Sequence, residues 1–587
     1  MRLALPQLPL LLLAVLTGSA AIHAQGIPSN LKQADADYRE GAAALASGDL
    51  TTAEAKFEEV TRLAPSAEQG HSALGTVLVR KGQWAAGMRE LEKALAINPA
   101  DGSAQLNLAM AYGQTGVAAK AIPLFAKLKM TAEAQGRPLP SQVLAAYARA
   151  FLATGQSAKA LATMKAAVAE EPGSAELHDE LGSLYAQQKE WAQAEKEFSD
   201  SIGLKGGFAS AHLHLGFVYK AEGKPEAASE WKKACESAPS DPSVALTAGK
   251  ALADAGDDED AVPILQQALQ LEPRSTGAAY QLALVLQRVN RVQDAIQLLK
   301  KVARAEPQNA DVLVNLGMAL SQAHQAADGV PYLQTAVHLR PKDATAHQDL
   351  AAAYLQVNQI DDAIGELNAA LKITPDSPQL HYDLGVAYKL KDDAADAIPE
   401  LEAAERLNPS GFEPAYVLGL LYMQVGRYAE AAQQFEASLK LHPQNGEGWA
   451  TLGSVYNKLD RLPEAVTALR EAIRQMPDQA DSHLILATVL VKQNQPSEAA
   501  EERKAAAGLM RAHMNLQRAE VATNSGKSLM ASGKVDDAIV EFRNALTFDP
   551  KYVEAHLELA DALQEQGKTA EAEAERSQAR SLAKPVQ

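Results

Sequence analysis

Residues 412–445 read FEPAYVLGLLYMQVGRYAEAAQQFEASLKLHPQN and decide the fold of the chain. The first part of this stretch carries apolar and small residues at the i, i+3, i+4, i+7 spacing of an amphipathic helix, namely Ala415, Leu418, Gly419 and Tyr422. Gly426 then offers a left-handed stop for that helix. A second helical stripe follows, formed by Ala431, Phe435 and Ser438, and Pro443 ends it because proline cannot continue a helix. The stretch therefore predicts two helices joined by a tight turn.

The same unit repeats along almost the whole chain. Prolines recur every 34 residues, and the longest run stands at positions 239, 273, 307, 341, 375, 409, 443 and 477. A fixed period of this length is the signature of stacked repeats. Sixteen units fit between Ala34 and Val586, with extra residues at 136–140 and 514–518 and one residue missing from the unit that begins at Ala209. Positions within a unit are numbered here as places 1 to 34, so Ala34 occupies place 1 of the first repeat.

Place 8 of every unit is small. Gly occupies it in ten units and Ala in the other six. Because a glycine inside a helix costs about 1 kcal/mol relative to alanine, ten such losses need a common cause. We expect close crossing of the two helices, where a larger side chain would push the backbones apart. One helix pair cannot cover its own apolar stripe, so neighbouring pairs must stack.

Four prolines interrupt this regular pattern inside second helices. Pro123, Pro263, Pro331 and Pro399 all occupy place 22, a few residues after the expected helix start. Proline is tolerated in a helix only in the first turn, because the backbone N–H groups there have no acceptor within the helix. We therefore expect these four helices to start late or to bend.

The order Leu-Gly, Tyr, Ala, Phe, small residue and Pro over 34 residues resembles the tetratricopeptide repeat. The residues that carry it include Leu418, Gly419, Tyr422, Ala431, Phe435, Ser438 and Pro443, and also Leu181, Gly182, Tyr185, Ala194, Phe198 and Ser201. The resemblance implies an all-α fold, a right-handed α-solenoid (superhelix) of about sixteen helix-turn-helix repeats. It further implies a concave groove lined mainly by the first helix of each pair, and a role as a scaffold that binds proteins or peptides.

The N-terminus has the three-part plan of an export signal. Arg2 precedes an apolar core at 8–16, and Ala24 stands before Gln25 at a plausible cleavage point. This predicts a signal peptide at 1–24, a short linker at 25–33 and a continuous repeat solenoid at 34–586, with no membrane span after cleavage. The apolar core is too short to cross a bilayer comfortably, although an uncleaved anchor is the alternative. One Cys and no Asn-x-Ser/Thr sequon favour the periplasm or exterior of a bacterial envelope.

Charge and motifs argue against nucleic acid, cofactors, metals and catalysis. The formal charge of −18 repels phosphate backbones. Gly526-Lys527-Ser528 lacks the earlier glycine of a phosphate-binding loop, since Val521 stands there. His212 and His214 are two residues apart, so on a helix they point to different sides and cannot converge on a metal. We predict a chain that is not an enzyme and needs no cofactor.

The predicted binding surface follows places 5 and 9 of the first helices, which face the groove in the family that the chain resembles. In the middle repeats these places carry Tyr280, Leu284, Val314, Met318, Tyr382, Val386, Tyr416 and Leu420, and Met423 continues the last pair. An apolar strip on an acidic protein suits an amphipathic helix or an extended peptide. Alternatively, these side chains pack against the first helix of the next repeat. A polysaccharide-binding or export accessory protein is the other functional class, although four Trp offer few aromatic platforms for glycans.

Overall fold

The computed structural model describes residues 29–583, and within that range it contains helices and turns but no strand. These residues form two compact units, 29–305 and 306–583. The predicted signal peptide at 1–24 lies outside the described residues. The first helix begins at Ser29, so residues 29–33 of the predicted linker are helical.

The helices are numbered in chain order. The first unit contains α1 (Ser29–Ser47), α2 (Leu50–Leu63), α3 (Glu68–Arg80), α4 (Trp84–Ile97), α5 (Gly102–Gln114), α6 (Ala118–Ala134), α7 (Ser141–Ala153), α8 (Ser157–Glu170), α9 (Ala175–Gln187), α10 (Trp191–Leu204), α11 (Ala209–Glu222), α12 (Ala227–Ser237), α13 (Pro242–Ala255), α14 (Asp258–Leu271), α15 (Thr276–Arg288) and α16 (Val292–Ala305). The second unit contains α17 (Ala310–Gln322), α18 (Ala326–Leu339), α19 (Ala344–Gln356), α20 (Ile360–Ile373), α21 (Pro378–Leu390), α22 (Ala394–Leu407), α23 (Glu413–Gln424), α24 (Tyr428–Leu441), α25 (Gly446–Lys458), α26 (Leu462–Gln475), α27 (Ala480–Lys492), α28 (Pro496–Ala531), α29 (Val535–Phe548), α30 (Val553–Glu565) and α31 (Thr569–Leu582).

The helices form sixteen helix-turn-helix repeats, and the prediction of an all-α solenoid is confirmed. Up to repeat 14, odd-numbered helices are the first helices and even-numbered helices are the second helices. Helix α28 serves two repeats, because it contains the second helix of repeat 14 and the first helix of repeat 15. Repeat 15 then ends with α29, and repeat 16 consists of α30 and α31.

Each first helix is followed by a residue in the left-handed conformation at place 15. Glycine provides it in some repeats, such as Gly426 with a φ of 79°, and a non-glycine residue in others, such as Asn290 with a φ of 61°. This conformation lets the next amide reach back to the helix end, and the N–H of Arg427 donates to the carbonyl of Tyr422 at 2.7 Å. The stop predicted at Gly426 is confirmed.

The two helices of a repeat cross closely at place 8, as the sequence predicts. A Cβ added at Gly419 would lie 2.8 Å from Cε1 of Phe435, and one added at Gly385 would lie 2.6 Å from Cγ of Leu401. Both neighbours are fully buried on the second helices α24 and α22. In these two repeats the crossing therefore leaves no room for a Cβ, whereas the six repeats with Ala at this place accommodate one.

The four prolines at place 22 do not delay their helices, so the expectation of a late start is wrong, and the alternative of a bend stays a prediction. Helix α6 begins at Ala118 and α14 at Asp258, both at place 17, where the proline-free α8 also begins at Ser157. Pro123 and Pro263 stand inside these helices. Each helix continues through its proline because a single missing N–H removes only one backbone hydrogen bond, which packing can offset.

The two predicted insertions have different structures. Residues 136–140 lie in the connection between α6 and α7, while residues 514–518 lie within α28. The reason is visible in the sequence. The proline expected at place 32 of repeat 14 is replaced by Arg511, and no left-handed glycine stands between it and repeat 15. Helix α6 also lacks the proline, with Glu133 at place 32, but it ends before Gly136, which has a φ of 65°.

Candidate protein-binding surface

First helices of successive repeats touch one another within each unit, as α17 and α19 do and as α21 and α23 do. The amide Nε2 of Gln348 at place 5 donates to Oδ2 of Asp383, at place 6 of the next repeat, over 2.6 Å. In the first unit, Nδ1 of His214 at place 6 lies 2.8 Å from Oδ1 of Asp179 at place 5 of the repeat before. These places therefore line the seam between first helices. We call the face formed by places 2, 5, 6, 9, 12 and 13 the first-helix surface.

The predicted strip is divided between the two compact units. Tyr280 and Leu284 lie on α15 in the first unit. The other residues lie on three first helices of the second unit, with Val314 and Met318 on α17, Tyr382 and Val386 on α21, and Tyr416, Leu420 and Met423 on α23. The second unit therefore holds most of the strip.

Most of the strip is half-buried, and Met318 is the exception because 45% of it is exposed. Tyr382, Tyr416 and Leu420 pack at the edge of the hydrophobic cluster that runs from α22 to α28. The ring of Tyr416 meets the ring of Phe435 edge-on, with centroids 5.7 Å apart. Half-burial gives each of these side chains a part fixed by packing and a part that faces solvent.

Four further apolar side chains on this surface are exposed and are absent from the predicted strip. Leu390, Leu484, Val491 and Leu557 are exposed by 55%, 37%, 47% and 45% and occupy places 13, 5, 12 and 5. All four lie in the second unit, on α21, α27 and α30. In the described part of the first unit, none of the exposed large apolar side chains stands at these places. The sequence signal was available, since extending the register to places 12 and 13 and to repeats 14 and 16 finds them.

A row of carboxylates accompanies the tyrosines. Glu413, Glu447 and Asp481 are exposed at place 2 of the successive first helices α23, α25 and α27. Burial raises the pKa of Tyr416 and the charge of Glu447 adds to the rise. Burial likewise raises the pKa of Tyr382, helped by Glu413. Each phenol therefore lies within electrostatic range of the carboxylate on the next repeat, and both stay neutral at physiological pH.

Two aspartates at place 6 lie deeper in the seam. Burial raises the pKa of Asp349 to about 6, with a smaller contribution from the charge of Asp343. Its Oδ2 atom is shielded from solvent and has no hydrogen-bond partner among the described residues. Burial also raises the pKa of Asp383, and hydrogen bonds from Gln348 and Gln379 oppose that rise. Burial therefore disfavours the charged form of Asp349 without the hydrogen bonds that support the charged form of Asp383.

Histidines at place 4 form a recurring strut that sequence reasoning missed. They are His71, His178, His212, His347, His381, His483 and His556, and each has Nδ1 between 2.5 and 2.7 Å from a glutamate on the second helix of its own repeat. In His381, Nε2 also lies 2.9 Å from the carbonyl oxygen of Pro375 before the helix. Trp449 makes the same contact, since its Nε1 donates to the carbonyl of Pro443 at 3.0 Å. The sequence signal for this contact is the recurrence of His at place 4 in seven units, the place that Trp449 occupies in repeat 13.

These contacts also account for the residues that suggested a metal. His212 pairs with Glu230 while His214 pairs with Asp179, so the two side chains diverge as predicted. One group in the described range, His178, Glu197 and Asp200, brings three possible ligand atoms together. Lys196 already places its ammonium nitrogen 2.8 Å from Asp200 and 3.7 Å from Glu197. The group is therefore a charge-paired network on the solvent side of one strut.

The other reactive-looking features are structural. Gly526, Lys527 and Ser528 lie within α28, with no strand before them in the described residues. Cys235 is buried in α12, and burial raises the pKa of its thiol to about 11, which disfavours the reactive thiolate. Of the helices between residues 29 and 583, none combines the length and the apolar character needed to cross a membrane.

Family profiles match most of the chain. A profile described as tetratricopeptide repeat matches residues 72–138, 146–207, 349–412, 416–480 and 451–512, and one described as TPR repeat matches 526–567. A third, described as the C-terminal domain of cilia and flagella-associated protein 70, matches 208–380. These matches follow the repeats of both compact units.

One curated relative is cellulose synthase operon protein C from Xanthomonas axonopodis pv. citri (strain 306). It is 30% identical over 207 residues, which cover 35% of this chain. The match spans only 13% of the length of that relative. It therefore concerns a run of repeats and not the whole of the larger protein.

Several solved repeat proteins are similar at low identity. YrrB, described as a TPR protein with an unusual peptide-binding site, is 24% identical, with 34% of this chain and 99% of YrrB covered and a TM-score of 0.29. The Cut9 and Hcn1 assembly of the APC/C is 18% identical, with 86% of this chain and 98% of that chain covered and a TM-score of 0.33. At these scores the likenesses carry no argument about a site.

Proposed function

Because the chain belongs to the tetratricopeptide repeat superfamily, we propose that it is a non-catalytic scaffold that binds protein partners on the first-helix surface of its second compact unit. Proteins built from these repeats are generally non-catalytic scaffolds. The observation that carries the proposal is the exposure of Met318, Leu390, Leu484 and Val491 on first helices of one unit. Apolar side chains grouped on one face in this way mark an interaction surface, whereas singly scattered ones do not.

The chemistry of this surface favours a segment that is apolar along one side and basic along another. Tyr382, Tyr416 and Leu420 offer apolar contacts that packing already holds in position, which lowers the entropy lost on binding. Glu413, Glu447 and Asp481 run beside them and attract Lys or Arg side chains of the partner. Since these acids are exposed, they contribute mainly to the association rate and to specificity.

The proposed location is outside the cytoplasm, in the periplasm or exterior of a bacterial envelope. The basic start, the apolar core and the small residues before Gln25 support export. Fractionation of cells that express the tagged full chain tests this location. A protein found in the cytoplasm with its N-terminal residues intact contradicts it.

The binding surface is tested by proximity labelling in cells with matched variants. Leu390→Ser and Leu484→Ser together remove exposed apolar contacts from the first-helix surface. Leu407→Ser and Leu441→Ser remove similarly exposed leucines from the ends of the second helices α22 and α24. Because all four residues are exposed, both double variants should keep nearly the stability of the native chain. The proposal expects the first pair to lose a set of neighbours that the second pair keeps, and equal loss or no loss contradicts it.

A second candidate function is an accessory role in polysaccharide export. The match to cellulose synthase operon protein C over 207 residues is the observation that favours it. Deleting the gene and measuring exported polysaccharide tests this role, together with glycan binding by the purified chain. Unchanged export and no glycan binding rule it out while leaving the scaffold proposal intact.

A further inference from the structure

The junction between repeats 14 and 15 differs from the regular junctions. In a regular junction, such as the one between α24 and α25, the second helix ends near Pro443 at place 32 and the chain turns back into the next first helix. At repeat 14 the chain continues as one helix from Pro496 to Ala531, with Arg511 at place 32. A helix of 36 residues is about 54 Å long, so repeat 15 is carried away from repeat 14.

In regular repeats, place 3 of a first helix packs on the second helix of the repeat before. A Cβ added at Gly448, place 3 of repeat 13, would lie 3.0 Å from Cδ2 of Leu439 at place 28. A Cβ added at Gly70, place 3 of repeat 2, would lie 2.8 Å from Cγ1 of Val60 at place 27. Leu380, at place 3 of repeat 11, is accordingly only 3% exposed. Place 3 is therefore a core position that the preceding repeat covers.

Both halves of that contact are uncovered at the fused junction. Val521 occupies place 3 of repeat 15 and is 70% exposed. Ala507, at place 28 of repeat 14, is also exposed, and residues 507–518 contain no buried residue. A cavity of about 610 Å³ opens beside this span, lined in part by Met514, Val521 and Phe548. The helix thus leaves bare two surfaces that fit each other in the regular repeats.

We propose that two copies of the chain exchange their C-terminal repeats, so that repeats 15 and 16 of each copy pack on repeat 14 of the other. The two α28 helices then lie antiparallel, each supplying to its partner the contact that a turned junction makes within one chain. Pairing place 3 with place 28 sets Val521 against Ala507 of the second copy, which puts the two-fold axis near Met514. Such reciprocal exchange of a segment needs no new type of interface, because it reuses a contact already encoded in the repeat.

The repeat pattern indicates that a second copy of this chain is the partner that covers these exposed surfaces. A surface that receives place 27 and 28 side chains of a second helix is complementary to the second helix of repeat 14. There Ala507 at place 28 is exposed, while Ala506 at place 27 is already buried within its own repeat. Exposed Met514 lies between the two surfaces and would pack against its equivalent across the axis, while exposed Met510 would lie opposite Arg518 of the second copy. A helix from another protein that ran antiparallel along α28 would cover the same span, and the oligomeric state of the purified chain separates that case from the exchange.

Light scattering and cysteine crosslinking of the purified full-length chain test the exchange. We expect a mass twice that of one chain. In a Cys235→Ser background, which removes the native thiol, Met514→Cys should form a disulfide-linked dimer on mild oxidation, since the two residues meet at the axis. A chain that stays monomeric at every concentration overturns the proposal. A monomer that binds a different protein along α28 overturns it as well.

Two matched pairs of variants identify the surface. Val521→Asp should convert the dimer to monomer, whereas Val540→Asp, at an exposed position of α29, should not. Arg511→Pro restores the missing proline and should give a folded monomer in which repeat 15 packs on its own repeat 14, whereas Arg511→Ala should remain a dimer. A dimer that survives Val521→Asp and Arg511→Pro contradicts the exchange. Helical circular dichroism at the native level shows that each monomeric variant is folded.

Discussion

Replacing two glycines by alanine separates helix propensity from packing. Gly385 lies at place 8 of α21, and a Cβ there would lie 2.6 Å from Cγ of Leu401 and 3.2 Å from the carbonyl oxygen of Ala397. Gly365 lies inside α20 in the preceding repeat, is exposed, and has open space where a Cβ would be placed. Both residues are within helices of the second unit, so they share the same gain in helix propensity.

The magnitude follows from two opposing effects. An alanine in place of a helical glycine favours folding by about 1 kcal/mol. Leu401 is fully buried and cannot move into solvent, so the added methyl at Gly385 forces the helices apart, and such overpacking typically costs about 1–3 kcal/mol. Gly365→Ala should therefore stabilise the protein by about 1 kcal/mol, whereas Gly385→Ala should range from neutral to destabilising by about 2 kcal/mol. The difference between the two changes in the free energy of unfolding isolates the cost of packing the added methyl group.

Urea unfolding followed by far-ultraviolet circular dichroism, with amide hydrogen exchange in α20 to α22, measures both changes. Hydrogen exchange is needed because a repeat array unfolds in parts, so one midpoint averages many repeats. If Gly385→Ala proved as stabilising as Gly365→Ala, close helix crossing could not be the reason for glycine at place 8.

Two other substitutions test the first-helix surface and the interrupted helices. The folded pKa of Asp349 is about 6, above its unfolded value, so the protonated form stabilises the fold at low pH and this contribution is lost as the pH rises towards 6. Asp349→Asn should therefore raise the free energy of unfolding at pH 8 by up to about 3 kcal/mol, and by less where water reaches the group, and should change it little at pH 3.5. Urea unfolding at the two pH values measures this, and an equal effect at both would contradict it. Pro399→Ala, inside α22, should stabilise the chain by about 1–3 kcal/mol, whereas Pro463→Ala, in the first turn of α26, should change it little, as thermal melts of the pair would show.

The repeat fold could be predicted from sequence because its signals are periodic and local. Gly426, Phe435 and Pro443 each have a distinct physical effect, namely a left-handed stop, a buried contact at place 24 and a helix end, and the structure places all three accordingly. Prediction failed where one expected signal was missing. The fused helix lacks both a proline at place 32, where Arg511 stands, and a left-handed glycine such as Gly136 after α6, and a count of extra residues alone does not reveal this.

The binding surface could be predicted only in outline, because exposure depends on the neighbouring repeat. Met318 and Leu420 occupy the same place 9, yet Met318 is exposed and Leu420 is half-buried. The place-9 residues of the repeats that follow, Ala352 and Ser454, are both small, so they do not explain the difference. Leu420 packs at the edge of the hydrophobic cluster that Tyr416 and Trp449 also contact. Periodicity gives the direction in which a side chain points, but the size of its neighbours sets how much of it remains in solvent.

The two proposed interactions can be separated because each repeat depends mainly on its immediate neighbours. Leu484 and Val491 lie on α27, before the bare span of α28 that begins at Ala507, and Leu557 lies after that span on α30. Val521→Asp should therefore abolish the dimer without removing partners that depend on Leu390 and Leu484. If it removed those partners as well, binding would require two copies, and the partner would span both first-helix surfaces. In that case dimerisation would raise the local concentration of binding sites and strengthen capture without any new contact.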